Sequence, residues 1–151
     1  MTWAAEQTKG ELLCAIDLGG THLRAAAIDA SGHIHFRLKQ RTPAANNPRD
    51  IVAALIAAAR ECDNRCEAEG RSISSICVVL PGTVDVAAGQ VVKVPNIPCL
   101  NSFALTAALT EALGRPVILE NDANAAAVGE KSNSESTLAE QVASLRPCAL
   151  A

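Results

Sequence analysis

Two short apolar runs, Leu12 to Ile16 and Leu23 to Ile28, flank Asp17-Leu18-Gly19-Gly20-Thr21, and neither is long enough for a helix. The pattern predicts a strand, a bend over Asp17 to Thr21, and an antiparallel strand returning beside the first. Two adjacent glycines permit a tight backbone whose N–H groups no side chain covers. Beside them stand a carboxylate able to hold a divalent cation and a hydroxyl able to hydrogen-bond, a set suited to the polyphosphate end of a nucleotide. A plain hairpin turn with an acid in it accounts for the same residues equally well from this stretch alone.

Downstream, Asp29-Ala30-Ser31-Gly32 is a turn signal and His33 to Leu38 alternates apolar with polar, so a third strand completes an antiparallel meander. His33 and His35 share a face of that strand, read as a polar side toward solvent rather than a metal pair. Asn47 as N-cap, Pro48 at the first helical position and Gly70 past the end mark a helix. Val52, Leu55, Ile56, Ala59, Cys62 and Cys66 form its apolar stripe. Ser75 to Leu80 reads as a buried strand stopping at Pro81-Gly82. Thr83 to Val94 reads as two strands around Ala88-Gly89, and Pro95-Asn96-Ile97-Pro98 as a stiff loop. Asn101 or Ser102 is expected to cap a helix over Phe103 to Leu113, with Gly114 ending it before the strand Val117-Ile118-Leu119.

The whole is an α/β chain with a mixed sheet flanked by helices. Ligands of such sheets bind at strand ends, which makes Gly82 and Asn96 candidates, although a connecting ribbon explains them as well. Glu120-Asn121-Asp122-Ala123-Asn124 crowds polar groups where a strand passes into a helix. Asp122 there is either an N-cap or a group able to take a hydroxyl proton, and the asparagines suit sugar hydroxyls.

Composition narrows the function. The 151 residues, 49% of them apolar, suffice for one domain with a core. A formal net charge of −3 without an evident basic stripe argues against nucleic-acid or membrane-surface partners, and 2% aromatic residues against base stacking. No apolar stretch reaches a membrane span. Six irregularly placed cysteines without a signal-peptide pattern indicate a reducing, cytoplasmic setting. Cys62 and Cys66 lack two further ligands, so no zinc site is expected. Residues 1–10 read as a disordered leader, 11–130 as the domain, and 131–151 as an off-pattern tail with a weak helix at Thr137 to Leu145.

In this order the motifs resemble the ROK (repressor, open reading frame, kinase) sugar kinases of the actin, Hsp70 and hexokinase superfamily, over Leu12 to Glu130. The carriers are Ile16 to Thr21, Leu80-Pro81-Gly82, Val94 to Pro98, and Glu120 to Glu130. The resemblance implies a ribonuclease H-like (actin-like ATPase) small domain with an incomplete second domain. It implies ATP-dependent phosphorylation of a hexose or amino sugar, glucose by default, with ATP and Mg2+ as cofactors and a homo-oligomeric full-length parent. Asp17, Gly19, Gly20 and Thr21 would face the phosphates, with Asp17 toward magnesium. Asp122 would be the base, and Gly82, Asn96 and Asn121 would join it around the sugar.

Cys99-Leu100 replaces a Gly-Trp-like pair of the family, and His22 stands where Asn or Lys is familiar. The family's second phosphate loop, His and Glu pair, zinc motif and adenosine pocket have no counterpart between Lys131 and Ala151. The chain is therefore expected to be an N-terminal portion, inactive alone. The alternatives are a sugar-responsive transcriptional regulator of the same family, for which sixteen residues before Asp17 leave no room for a helix-turn-helix, and a non-catalytic fragment.

Overall fold

The computed structural model describes residues 11–44 and 47–125. The expected leader, the Ala126 to Glu130 end of the last motif, and the tail lie outside them. Strands β1 (Glu11–Leu18), β2 (His22–Ile28) and β3 (Ile34–Arg41) form the predicted antiparallel meander. Helix α1 (Pro48–Ala68) follows, then β4 (Ser72–Leu80), the ribbon β5 (Thr83–Asp85) and β6 (Gln90–Lys93), a 3-10 turn at Pro98–Leu100, helix α2 (Leu105–Leu113) and β7 (Val117–Asn121). The main sheet runs β3-β2-β1-β4-β7, with β4 parallel to both β1 and β7.

The alternating side chains of β1 explain the layering. Leu12, Cys14, Ile16 and Leu18 are all buried on the face covered by α1. Helix α1 lies across β1 to β4, and α2 packs beside it against β7. Ile51, Leu55, Ala58, Ala59, Cys62 and Cys66 form the buried stripe of α1, while Val52 and Ile56 flank it half-buried. Full burial of Ile51 and Leu55 contributes roughly 1.5–3 kcal/mol each. The caps of α1 follow the sequence: Asn47 accepts from the Arg49 N–H at 2.9 Å, and Pro48 opens the helix.

Three expectations change. The bend is shorter than Asp17 to Thr21, because Asp17 and Leu18 belong to β1 and pair with Arg24 and Leu23. His35 does not face solvent: its side chain is 11% exposed and its Nε2 lies 2.8 Å from Asp29 Oδ2. Neither Asn101 nor Ser102 caps α2, whose first residue follows an uncapped Ala104. Asn101 Oδ1 instead accepts from the Val94 N–H at 2.8 Å, tying the loop after β6 to its return.

Candidate functional site

The parallel strands β1, β4 and β7 all end on one edge of the sheet, the edge where open α/β sheets bind ligands. Asp17 closes β1, Pro81-Gly82 follow β4, and Asn121-Asp122 close β7 and open a helix over residues 122–125. Sheet topology thus gathers groups more than a hundred positions apart in the chain.

In the turn Gly19-Gly20-Thr21 two of the three amides are left without an internal acceptor among the described residues. Gly19 N–H donates to His22 O at 2.9 Å, Thr42 Oγ1 donates to Gly19 O at 2.6 Å, and Thr42 N–H donates to Thr21 O at 2.9 Å. Two carbonyls are therefore occupied, while the N–H groups of Gly20 and Thr21 have no acceptor among the described residues. Exposed, adjacent amides are groups able to donate to an anion. A Cβ at Gly20 would stand 2.9 Å from the Asn96 Cβ, so the turn rests directly on the loop after β6. The Asp17 carboxylate, half-exposed, sits 3.5 Å from Arg24 Nη1. Mg2+ is usually held by one or two carboxylates together with phosphates, and Asp17 is a carboxylate that could serve so beside this turn.

The second part of the site is built on Asn121. Its Nδ2 donates to Gly82 O, and its Oδ1 accepts from the N–H groups of Ala123 at 2.8 Å and Asn124 at 3.2 Å. Asn121, not Asp122, is thus the N-cap. An amide offers two N–H donors, so one is left for a ligand. Glu120, 5% exposed, accepts from the Asn121 N–H at 2.8 Å and from Asn124 Nδ2 at 3.0 Å. Asp122 is left exposed at the first helical position, accepting nothing from the described residues.

Gly82 is required by contact: a Cβ there would lie 2.3 Å from the Lys93 carbonyl oxygen. Together Pro81, Gly82, Thr83, Lys93, Pro95, Asn121 and Asp122 enclose a cleft of about 360 Å³. The structure therefore brings Gly82, Asn121 and Asp122 into one cleft. Asn96 is not among the residues that line it; it stands exposed after Pro95, with its Cβ against Gly20. Thr83 and Lys93 line the cleft without having been singled out, because nothing in a ribbon sequence shows which strand end reaches the sheet edge. Thr42, which holds the glycine turn in place, gave no motif signal either, whereas Glu120 stood in the polar cluster without a role of its own.

Among the described residues no group of three or more His, Cys, Asp or Glu side chains is placed to hold a metal, and no helix is long and apolar enough to cross a membrane. Cys14, Cys62, Cys66 and Cys77 are buried thiols. Burial raises Cys77 to about 12 and Cys66 to about 11.

A mixed sheet in this order, with a glycine turn after the first strand and a carboxylate after the last, defines a small domain of the actin-like ATPase class. The ROK family profile matches residues 13–145, and the chain belongs to that family. It is 33% identical over 119 residues to the glucokinase of Thermotoga maritima, covering 79% of this chain and 36% of that one. It is 34% identical over 131 residues to the N-acetylmannosamine kinase of Shigella boydii, covering 85% and 42%.

A Streptomyces griseus ROK glucokinase solved in complex with glucose and AMPPNP superposes with a TM-score of 0.69 at 34% identity, over 79% of this chain and 36% of that one. A ROK family transcriptional regulator, homologous to the E. coli MLC protein, superposes with a TM-score of 0.73 at 27% identity, over 81% and 30%. The chain thus spans well under half the length of these relatives.

Proposed function

We propose that the chain supplies the N-terminal wall of the active cleft of an ATP-dependent sugar kinase acting on glucose or a related hexose or amino sugar. The observation that carries this reading is the convergence of two unlike subsites on one sheet edge: amides at Gly20 and Thr21 that no described residue accepts from, and the Asp122 carboxylate in a polar cleft. Asp122 takes the proton of the attacking sugar hydroxyl. The remaining Asn121 N–H and the backbone beside Gly82 orient that sugar. Phosphoryl transfer is catalysed mainly by in-line positioning and charge neutralisation, so a carboxylate at a helix start and an amide turn pinned by Thr42 are the parts such a wall must provide.

Asp17 is the carboxylate on this chain that would hold the nucleotide's magnesium, which would supply charge neutralisation when bound. The Asp17–Arg24 pair is solvent-screened and offers weak competition. The relatives' greater length furnishes the opposing wall, so the chain by itself is expected to bind without turning over. Of the positions that depart from the family pattern, Leu100 is fully buried and serves packing, which leaves Cys99 and His22 as the ones able to alter sugar or nucleotide fit.

The test replaces the matching segment of the Thermotoga maritima glucokinase with residues 13–125 of this chain. ATP-dependent glucose phosphorylation by the folded chimera, abolished in Asp122→Asn, is the expected outcome. A folded chimera that binds glucose but never phosphorylates it favours the regulator reading, to which the similarity in fold of the transcriptional regulator points. Direct titration of the 151-residue chain with glucose and N-acetylmannosamine gives a second measurement, and absence of binding to both refutes the sugar site.

A further inference from the structure

The β5–β6 ribbon brings to the cleft a charge that the sugar site described above does not use. Thr83 and Lys93 are directly opposed in the β5–β6 pairing, both are exposed, and both line the cleft that holds Asn121 and Asp122. Opposed residues of an antiparallel pair share a face, so a hydroxyl and an ammonium lie side by side. Among the residues lining the cleft Lys93 is the one basic group and Asp122 the one acidic group.

Among the described residues Lys93 enters no ion pair. The acids near it are committed elsewhere. Asp85, on the same ribbon, accepts from the Ala88 N–H at 3.0 Å in the far turn, and Glu120 accepts from the Asn121 N–H and from Asn124 Nδ2. Asp122 is the group that meets the sugar hydroxyl. The backbone carrying the ammonium is anchored on both sides: the Val91 N–H donates to Phe103 O at 2.9 Å, and the N–H of fully buried Val94 donates to Asn101 Oδ1 at 2.8 Å. The Lys93 carbonyl itself packs against Gly82. An anion meeting Lys93 is therefore held at a set place relative to Asn121 and Asp122.

A neutral hexose presents hydroxyls, which uncharged donors and acceptors satisfy. An ammonium without a counterion gains instead from an anion that the ligand brings, and the neighbouring Thr83 hydroxyl donates a second bond to the same group. The cleft of about 360 Å³ lies at the small end of ligand pockets, roughly 300–1,000 Å³, and so suits one substituted monosaccharide.

We propose that Lys93, with Thr83 beside it, makes this cleft select an acidic monosaccharide, a hexose derivative whose own carboxylate pairs with the ammonium while a free hydroxyl faces Asp122. The proposal rests on the reading of the cleft as a sugar site and names the class of sugar that it takes.

Calorimetric titration of the 151-residue chain with N-acetylmuramic acid and N-acetylglucosamine tests it, since the two sugars differ only in a lactyl arm that ends in a carboxylate. The acid is expected to bind about tenfold more tightly, or 1.4 kcal/mol, with the preference shrinking as salt is added. In Lys93→Gln the preference should disappear, and in Lys93→Arg, which keeps the charge, it should survive. Lys93 is exposed, so neither substitution disturbs the core. Equal binding of the two sugars by the parent chain overturns the proposal, as does preference for the neutral one. A preference for the acid that persists in Lys93→Gln overturns it too, because the carboxylate then sits elsewhere. Lactate bound as tightly as N-acetylmuramic acid marks an anion site without a sugar and has the same consequence. Neutral sugars bound without preference sink this inference alone. Failure of both probes, together with glucose and N-acetylmannosamine, sinks the sugar site and this inference with it.

Discussion

Substituting Gly82 by alanine is the sharpest probe of the cleft. The added methyl would lie 2.3 Å from the Lys93 carbonyl oxygen, 2.9 Å from Val94 Cγ2 and 3.0 Å from Val94 Cα. Ordinary contact begins near 3.4 Å, so either the end of β6 or the Pro81-Gly82 corner must move by about 1 Å. Two of the three obstructing atoms are backbone, and no side-chain rotamer relieves them. Overpacking of this kind costs roughly 1–3 kcal/mol. The movement also draws Gly82 O away from Asn121 Nδ2, losing about 1 kcal/mol more.

The sum of about 2–4 kcal/mol, divided by a urea m-value of about 2 kcal/mol/M, lowers the unfolding midpoint by about 1–2 M. Sugar affinity falls with it, because the shifted corner is a wall of the cleft. Gly70→Ala is the control: its φ is +72° with nothing within 4 Å of the new methyl, so about 1 kcal/mol of backbone strain is expected and no loss of binding. A Gly82→Ala chain with the parent midpoint and parent sugar affinity would falsify the packing argument and, with it, the placement of the cleft.

Other perturbations test the supports of the site. Arg115 makes a bidentate pair with Asp63 of α1 and donates to Ile73 O at 3.2 Å, clamping the helix to the start of β7. Arg115→Gln is expected to cost about 1–3 kcal/mol in urea unfolding, with little change in added 0.5 M salt because the pair is three-quarters buried or more. Asn101→Ala leaves the Val94 N–H unpaired and should cost about 1–2 kcal/mol while increasing hydrogen exchange at Asn96 and Ile97.

Asp29 supplies a pH test. Burial pushes its carboxyl up, but bonds from the Ser31 hydroxyl, the His35 ring and the N–H groups of His33 and Ser31 outweigh burial and hold it well below the usual carboxylate range. A depressed folded-state value means stability that is fully present above about pH 4 and is lost as the pH falls further. Between pH 5 and pH 2 the parent should lose stability faster than Asp29→Ala, and parallel curves for the two chains would exclude this account.

What the sequence revealed follows a physical division. Asn47, Pro48 and Gly114 act within one or two residues of themselves, and all three take their expected places at helix ends. The order of motifs was equally readable, since it depends on strand ends and not on side-chain contacts. Asp17 was assigned to the bend because an acid before two glycines looks like turn chemistry; pairing with Arg24 across the hairpin drew it into the strand. Asn101 looked like a cap by position, but its oxygen is satisfied by Val94, a partner seven residues back across a tight return. That Arg24 of β2 shares one side of the sheet with Arg37, Lys39 and Arg41 of β3 was illegible for a related reason, since only the pairing register collects residues divided between two strands.

Thr42 carries the last consequence. It belongs to the exit of the third strand, yet its amide and hydroxyl fix the carbonyls of the first turn. The letters Asp-Leu-Gly-Gly-Thr are therefore not a transplantable unit. A graft of residues 11–28 into a foreign hairpin would reproduce the motif and lose the latch, whereas one extending through Thr42 would carry both. The smallest portable form of this turn is a three-stranded piece.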